Sequence, residues 1–199
     1  LATNALPDEV LEIVGKKFRT NLQGKAFGVV VVFTDEVPEG MEIATFREDV
    51  SKGRNPEVKL GVTIEDDVKR RDLTINALFY DIGKKQIVDL VGGIADLKKK
   101  KIRTVGKAED RFDEDPLRKF RAVRFAGSVG GKMTKDTWAA LKKNSDISGV
   151  SAERIRDEFI KGVTKAKNVP NYFKMLKTLG MFKQIFPELS VLHMKLNTN

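Results

Sequence analysis

The 199-residue chain has no cysteine and a single histidine, His193. Without thiols there is neither a disulfide framework nor a thiolate metal site, and one imidazole cannot build a histidine cluster. No apolar run approaches the roughly 20 residues that span a bilayer. Nor does a basic stretch followed by an apolar block mark the N-terminus, so the chain reads as a soluble protein with no membrane partner, the cytoplasm being its default location. Tandem repeats are absent, and the one low-complexity tract, the four lysines 98–101, reads as a solvated helix end. What the chain has in excess is positive charge. Lysine and arginine number 37 against 28 acids, a formal net charge of +9, so a polyanion, nucleic acid or nucleotide phosphate, is the first partner to consider.

The length allows one good core or two small ones, and two are expected. Residues 1–6 read as the continuation of an element whose first half lies elsewhere. Pro7 and the acids after it open a short helix ending at Gly15. The valine-rich stretch 27–33 predicts a strand buried on both faces. It turns through 34–40 into a second strand, 41–46, where Glu42 faces opposite to its apolar neighbours, on a wet face or in a functional role. Residues 47–64, with Gly53, Pro56 and Gly61, predict a long mobile loop. A helix over 65–78 would set Asp72 and Asn76 one turn apart, able to share a polar ligand or to bond local backbone. A hairpin over 79–89, a glycine turn at Gly92 and Gly93 into a short helix, and a last strand over 102–105 follow. After Gly106 helical periodicity takes over, with helices expected over 115–128, 134–143, 152–165 and 171–179. The C-terminal residues 192–199 fade into polar sequence.

One stretch organises the rest. Residues 111–126 carry an acidic cluster followed by arginines at a spacing of three. Pro116 suits a first helical position, which makes Asp115 the expected N-cap, and Arg118 comes round to the same side. A carboxylate beside a guanidinium can read a base. Cytosine and adenine pair an exocyclic amine with an unprotonated ring nitrogen, whereas uracil and guanine present a carbonyl beside a ring N–H. The couple would admit C and A and refuse U and G through unpaired polar groups. An ordinary N-cap with an i,i+3 ion pair uses the same residues, and the stretch alone leaves both readings open.

Residues 70–78 (Arg-Arg-Asp-Leu-Thr-Ile-Asn-Ala-Leu) and 114–118 (Glu-Asp-Pro-Leu-Arg), with 89–97 and 152–156 in order between and after them, resemble the class II tRNA nucleotidyltransferases: the CCA-adding enzymes and the related bacterial poly(A) polymerases. The likeness runs from Leu1 to about Leu189. It implies an α+β fold: a partial polymerase-β-type nucleotidyltransferase head followed by an all-α neck. The implied divisions are a head over 1–105, a neck with the base-reading helix over 106–165 and the start of a helical body over 166–199. It also implies a template-independent polymerase adding C and A to tRNA 3′ ends, or A alone, or a non-catalytic relative that binds nucleotide or RNA.

Carried over by position, the resemblance gives Asp72 and Asn76 the ribose, with Arg70 and Arg71 nearby. Glu114, Asp115 and Arg118 become the amino-acid template, and Arg121 and Arg124 steady the triphosphate. Asp89, Gly92, Gly93 and Asp96 form a flexible coupling element, and Glu153 and Arg156 brace the helices. Glu42 matches an acidic strand position that accompanies the family's metal-binding pair. In the family an Asp-x-Asp pair precedes the segment found here at residues 1–5, so the two Mg2+ ions implied, with ATP and CTP as substrates, need carboxylates from a complementing N-terminal fragment or partner chain.

Overall fold

The computed structural model describes residues 1–51 and 57–191, and by packing the chain divides into two units between Arg71 and Asp72.

The first unit opens with β1 (Ala2–Thr3) and α1 (Pro7–Val14). Pro7 sits in the first turn of α1, and Glu9 reaches back to accept the Leu6 N–H at 2.6 Å, which satisfies an end group the helix cannot. β2 (Arg19–Asn21), β3 (Val29–Phe33) and β4 (Met41–Thr45) follow, in the sheet order β1-β4-β3-β2. β1 runs parallel to β4, and the other neighbours are antiparallel. The expected two-faced strand over 27–33 is shorter and one-sided. Residues 25–27 form a 3-10 turn, Gly28 takes φ +80°, and of the strand only Val30 and Val32 are buried, against Val10 of α1. A side chain at Gly28 would run into Leu60.

The expected loop over 47–64 is instead largely ordered. β5 (Arg47–Asp49) pairs antiparallel with β6 (Val58–Leu60), and α2 (Ile64–Lys69) follows, capped by Thr63. Gly53 and Pro56 lie outside the described residues. Nor does a helix run through 65–78: α2 ends at Lys69.

In the second unit, Leu73 bridges Thr104, residues 74–76 make a 3-10 turn, and the strands Leu78–Asp81 (β7) and Gln86–Asp89 (β8) form the expected hairpin. Then come α3 (Gly93–Lys98), β9 (Lys101–Ile102), α4 (Ala108–Glu114), α5 (Leu117–Val129) and β10 (Lys132–Met133). β10 was not expected after Gly106; it pairs parallel with β9. The acidic cluster does not open one helix. Asp113 and Glu114 close α4, and Asp115 and Pro116 form the joint to α5. The rest is α6 (Lys135–Lys143), α7 (Ala152–Lys165), α8 (Val169–Thr178) and α9 (Met181–Ile185). α7 has the expected bounds, α8 starts two residues before 171, and α9 had no signal of its own. The expected tail at 192–199, with His193, lies outside the described residues.

α5 is the spine of this unit. Phe120, Ala122, Val123 and Ala126 on it are fully buried and pack with Leu141, Ile147, Tyr172, Leu176 and Met181. Complete burial of one such phenylalanine stabilises the fold by about 2–3 kcal/mol.

Candidate functional site

Residues 72–76 are fixed by their backbone before their side chains enter the argument. The Val105 N–H donates to the Asp72 carbonyl at 3.1 Å and the Thr74 N–H to that of Arg103 at 2.9 Å. Asp72 and Asn76 are therefore not one helical turn apart as expected, yet they still meet. The Asp72 Oδ1 accepts from the Leu73 N–H at 2.8 Å and from Asn76 Nδ2 at 3.1 Å, while Oδ2 accepts Arg121 Nε from α5 at 2.7 Å. Burial alone would push this carboxyl up. The charge and hydrogen bond of Arg121, helped by Asn76 and Leu73, outweigh burial and hold it below the usual aspartate range.

Glu158 of α7 is the second focus. It is 4% exposed and accepts from Arg124 Nε, with Arg121 Nη1 at 3.7 Å and Lys161 Nζ at 3.8 Å. The Arg124 guanidinium also lies 3.9 Å from the centre of the Phe125 ring, within cation–π range. Arg121 thus links the 72–76 segment to α7, and Arg124 is engaged inside the helical packing.

At the joint between α4 and α5, Asp115 is extended (φ −148°, ψ 108°) and ends α4; Pro116, not Asp115 as expected, is the N-cap of α5, and the Asp115 Oδ1 accepts the Leu117 N–H at 3.1 Å. The i,i+3 ion pair with Arg118 is not what forms. Asp115 Oδ2 accepts Arg154 Nη2 from α7 at 2.6 Å, and Arg118 donates to Glu114, which also takes Arg111. The acid and the cation are thus each fixed by a different protein partner, and both remain partly exposed, at 20% and 14% of their side chains.

The segment expected to be a flexible coupling is heavily bonded. The Asp89 carboxylate accepts the N–H groups of Val91, Gly92, Gly93 and Ile94, at 2.8 to 3.3 Å. Burial opposes its charge, but these four donors hold its carboxyl below the usual range. Gly92 takes φ +79° at the start of α3, and Gly93 leaves no space for a Cβ beside the Thr74 carbonyl. Asp96 accepts the Thr74 hydroxyl and Arg103 Nε, both at 2.7 Å. α3 is therefore tied to the segment that carries Asp72.

In the first unit Arg70 and Arg71 both bind Asp67, which is buried, at 2.7 and 3.0 Å. Glu42 is exposed on β4, opposite Val31. Among the described residues no group of three or more His, Cys, Asp or Glu could hold a metal. Divalent-ion sites of the two-metal kind need several carboxylates, and Glu42 alone does not fit one.

Arg154, Glu158, Arg111 and Asp67 join the site without having been expected there. Glu153 and Arg156, expected as braces, are both exposed, and Arg156 pairs with its neighbour Asp157 at 3.0 Å. The signal lay in the four-residue spacing of Arg154, Glu158 and Gly162, which puts a cation, an acid and a gap on one side of α7.

An α+β fold with a four-stranded sheet, followed by helices that place acids and arginines around one joint, is that of a nucleotidyltransferase head and its helical extension. Residues 1–103 match the family "Poly A polymerase head domain", and residues 131–192 match "Probable RNA and SrmB- binding site of polymerase A"; the chain belongs to the poly(A) polymerase head-domain family. The CCA-adding enzymes of Ligilactobacillus salivarius (strain UCC118) and Bacillus subtilis (strain 168) are each 42% identical over 165 residues, 81% of this chain, but that is 39% and 40% of their own lengths. The crystal structure of the Bacillus stearothermophilus CCA-adding enzyme in complex with CTP aligns with a TM-score of 0.79 at 35% identity, covering 90% of this chain and 42% of that one. The chain therefore spans about two fifths of the length of these relatives. No helix among the described residues is long and apolar enough to cross a membrane.

Proposed function

We propose that this chain is the nucleotide-selecting part of a template-independent RNA nucleotidyltransferase that adds C and A to tRNA 3′ ends. The observation that carries the reading is the joint between α4 and α5, where Asp115 and Arg118 stand three residues apart, partly exposed, each held by its own partner. A carboxylate accepting from an exocyclic amine and a guanidinium donating to a ring nitrogen select cytosine and adenine together. Glu114 fixes Arg118, and Arg154 fixes Asp115. In this reading Asp72 and Asn76 take the ribose, Arg121 meets the triphosphate, and Arg124 works through Glu158 to hold α5 against α7. Arg70 and Arg71 add positive charge on the head. Asp89, Gly92, Gly93 and Asp96 couple α3 to the ribose segment as one tied unit. By function, 1–105 is the head, 106–165 the neck and 166–199 the start of the body.

The CCA-adding relatives and the CTP-bound neighbour support this substrate class. The name of the matched family favours a second reading, addition of A alone. Phosphoryl transfer in this class uses divalent ions, here Mg2+, held by carboxylates. Among the described residues only Glu42 is a candidate for such a site and it does not make one, so no step of the transfer is assigned to them.

The test supplies the full chain, Mg2+, CTP, ATP and a tRNA lacking its 3′ end, with and without a separate N-terminal fragment bearing an Asp-x-Asp turn. Incorporation of C then A with the fragment is the expected result. A alone would favour polyadenylation. Binding of ATP and CTP with incorporation under neither condition would identify a non-catalytic relative and overturn the reading.

A further inference from the structure

A cavity of about 220 Å3 lies where α4, α5 and the end of α6 meet. Glu109, Phe112 and Asp113 of α4 line it. Their spacing puts them on one side of that helix, turned away from Glu114, which binds Arg118. The cavity is thus distinct from the couple at the α4–α5 joint. Its volume falls below the roughly 300–1,000 Å3 of pockets that take drug-sized ligands, so a nucleotide is too large for it. A molecule of about eight heavy atoms is not, each water-sized group needing on the order of 30 Å3.

The charges around this cavity are of both signs and are not spent on one another. Glu109 and Asp113 stand one helical turn apart, and Lys119 of α5 and Lys143, the last residue of α6, complete the ring. Among the described residues no ion pair or hydrogen bond joins either carboxylate to either ammonium. Lys119 is 3% exposed, and its Nζ donates to the Asp146 carbonyl at 2.9 Å, which leaves most of its donor capacity unspent. Burial pushes this amine down, and the charges of Asp146 and Asp113 oppose the shift. A hidden ammonium whose hydrogen bonds are incomplete is costly. Phe112 and Ala140, both buried, add an apolar wall beside the charges.

We infer that this cavity binds a free α-amino acid with a small aliphatic side chain. The ammonium of the ligand lies between Glu109 and Asp113, its carboxylate meets Lys119 and Lys143, and its side chain packs on Phe112 and Ala140. The ring carries as many acids as lysines, so a simple anion or a simple cation leaves one pair of charges unmatched. A zwitterion matches both pairs through charge-assisted hydrogen bonds. None of these residues takes part in the proposed nucleotide selection, so the inference goes beyond that reading and stands apart from it. A ligand held by α4, α5 and α6 together binds the folded chain alone, and its binding raises the melting temperature.

The test titrates L-valine onto the full chain by calorimetry, beside N-acetyl-L-valine, which lacks the ammonium, and L-valine amide, which lacks the carboxylate. L-Valine should half-saturate the chain below about 1 mM and raise its melting temperature, and each of the other two should bind at least about tenfold more weakly. Glu109→Gln with Asp113→Asn, and separately Lys143→Gln, change exposed side chains only, so the fold is kept, as circular dichroism confirms. Each should weaken L-valine binding by at least about tenfold while ATP and CTP affinities stay as they are, which keeps this result separate from that of the nucleotide-selecting reading. Lys119→Met should abolish L-valine binding. No saturable binding of L-valine by the unaltered chain would overturn the inference, as would equal affinity in the variants. Binding of N-acetyl-L-valine or L-valine amide as tight as that of L-valine would show a site for a single charge and overturn it equally.

Discussion

Arg121 donates its Nε to the Asp72 carboxylate at 2.7 Å across 49 residues of chain, and the same guanidinium lies 3.7 Å from Glu158. One side chain on α5 thereby ties the 72–76 segment to α7. Removing it leaves Asp72, 8% exposed, as a buried charge whose chief partner has gone. Arg121→Met should therefore lower stability by about 3 kcal/mol, read from the urea midpoint at unchanged slope. Asp72→Asn with Arg121→Met should recover part of that loss.

The same contact sets a pH dependence. The Asp72 carboxyl is held below its ordinary value in the folded protein, whereas the unfolded chain takes up that proton near pH 3.9, about the usual aspartate value. Below that point the unfolded state binds more protons. The contribution of Asp72 is fully present above about pH 4 and is lost as pH falls through the lower folded value. Chemical denaturation from pH 7 to 2.5 should show an acid-side loss that Asp72→Asn reduces.

Gly93 faces the Thr74 carbonyl with no space for a methyl group. Gly93→Ala must push α3 away from the segment that carries Asp72 and Asn76, at a cost of about 1–3 kcal/mol. A lower melting temperature together with weaker ATP binding is expected. Gly106→Ala has open space but φ +71°, so it should lower the melting temperature without the loss of affinity for nucleotide.

How far the sequence could be read depended on the range of the interactions. Residues 152–165 and 7–14 form the expected helices because early acids and apolar spacing, with Pro7 at the start of the second, act within one or two turns. The 65–78 region misled because its early acids promise a helix, while Leu73 and Thr104 pair 31 positions apart and draw the backbone out of it. β10 is two residues long and exists through its partner β9, so no local pattern could announce it. The candidate site divided in the same way. Asp115 and Arg118 were legible as a couple with the chemistry of a base edge, and Asp72 and Asn76 as a pair able to share a polar ligand; the ribose came from the family resemblance alone. Arg154 and Glu158 were not, because their roles arise only once α5 and α7 pack together.

Tyr172 is fully buried, and its hydroxyl has no hydrogen-bond partner among the described residues. Burial, and after it the charge of Glu158, pushes that phenol well above its usual range. The ring closes on Gly162 so tightly that a Cβ there would overlap the hydroxyl. Tyr172→Phe removes an unpaired polar group and should stabilise by about 1 kcal/mol. Gly162→Ala should destabilise, and Gly162→Ala with Tyr172→Phe should be less harmed than Gly162→Ala alone, as thermal melts of the three variants would reveal.

The most direct measurement is the affinity of the chain for each of ATP, CTP, UTP and GTP, compared among the unaltered protein, Asp115→Asn and Arg118→Ala. If these two side chains read the base edge, the unaltered chain prefers ATP and CTP by at least about tenfold, each good pair being worth roughly 1–3 kcal/mol of discrimination. Both variants should erase that preference while keeping most of the affinity due to the triphosphate. No preference in the unaltered chain, or an equal fall for all four nucleotides in the variants, would contradict the account.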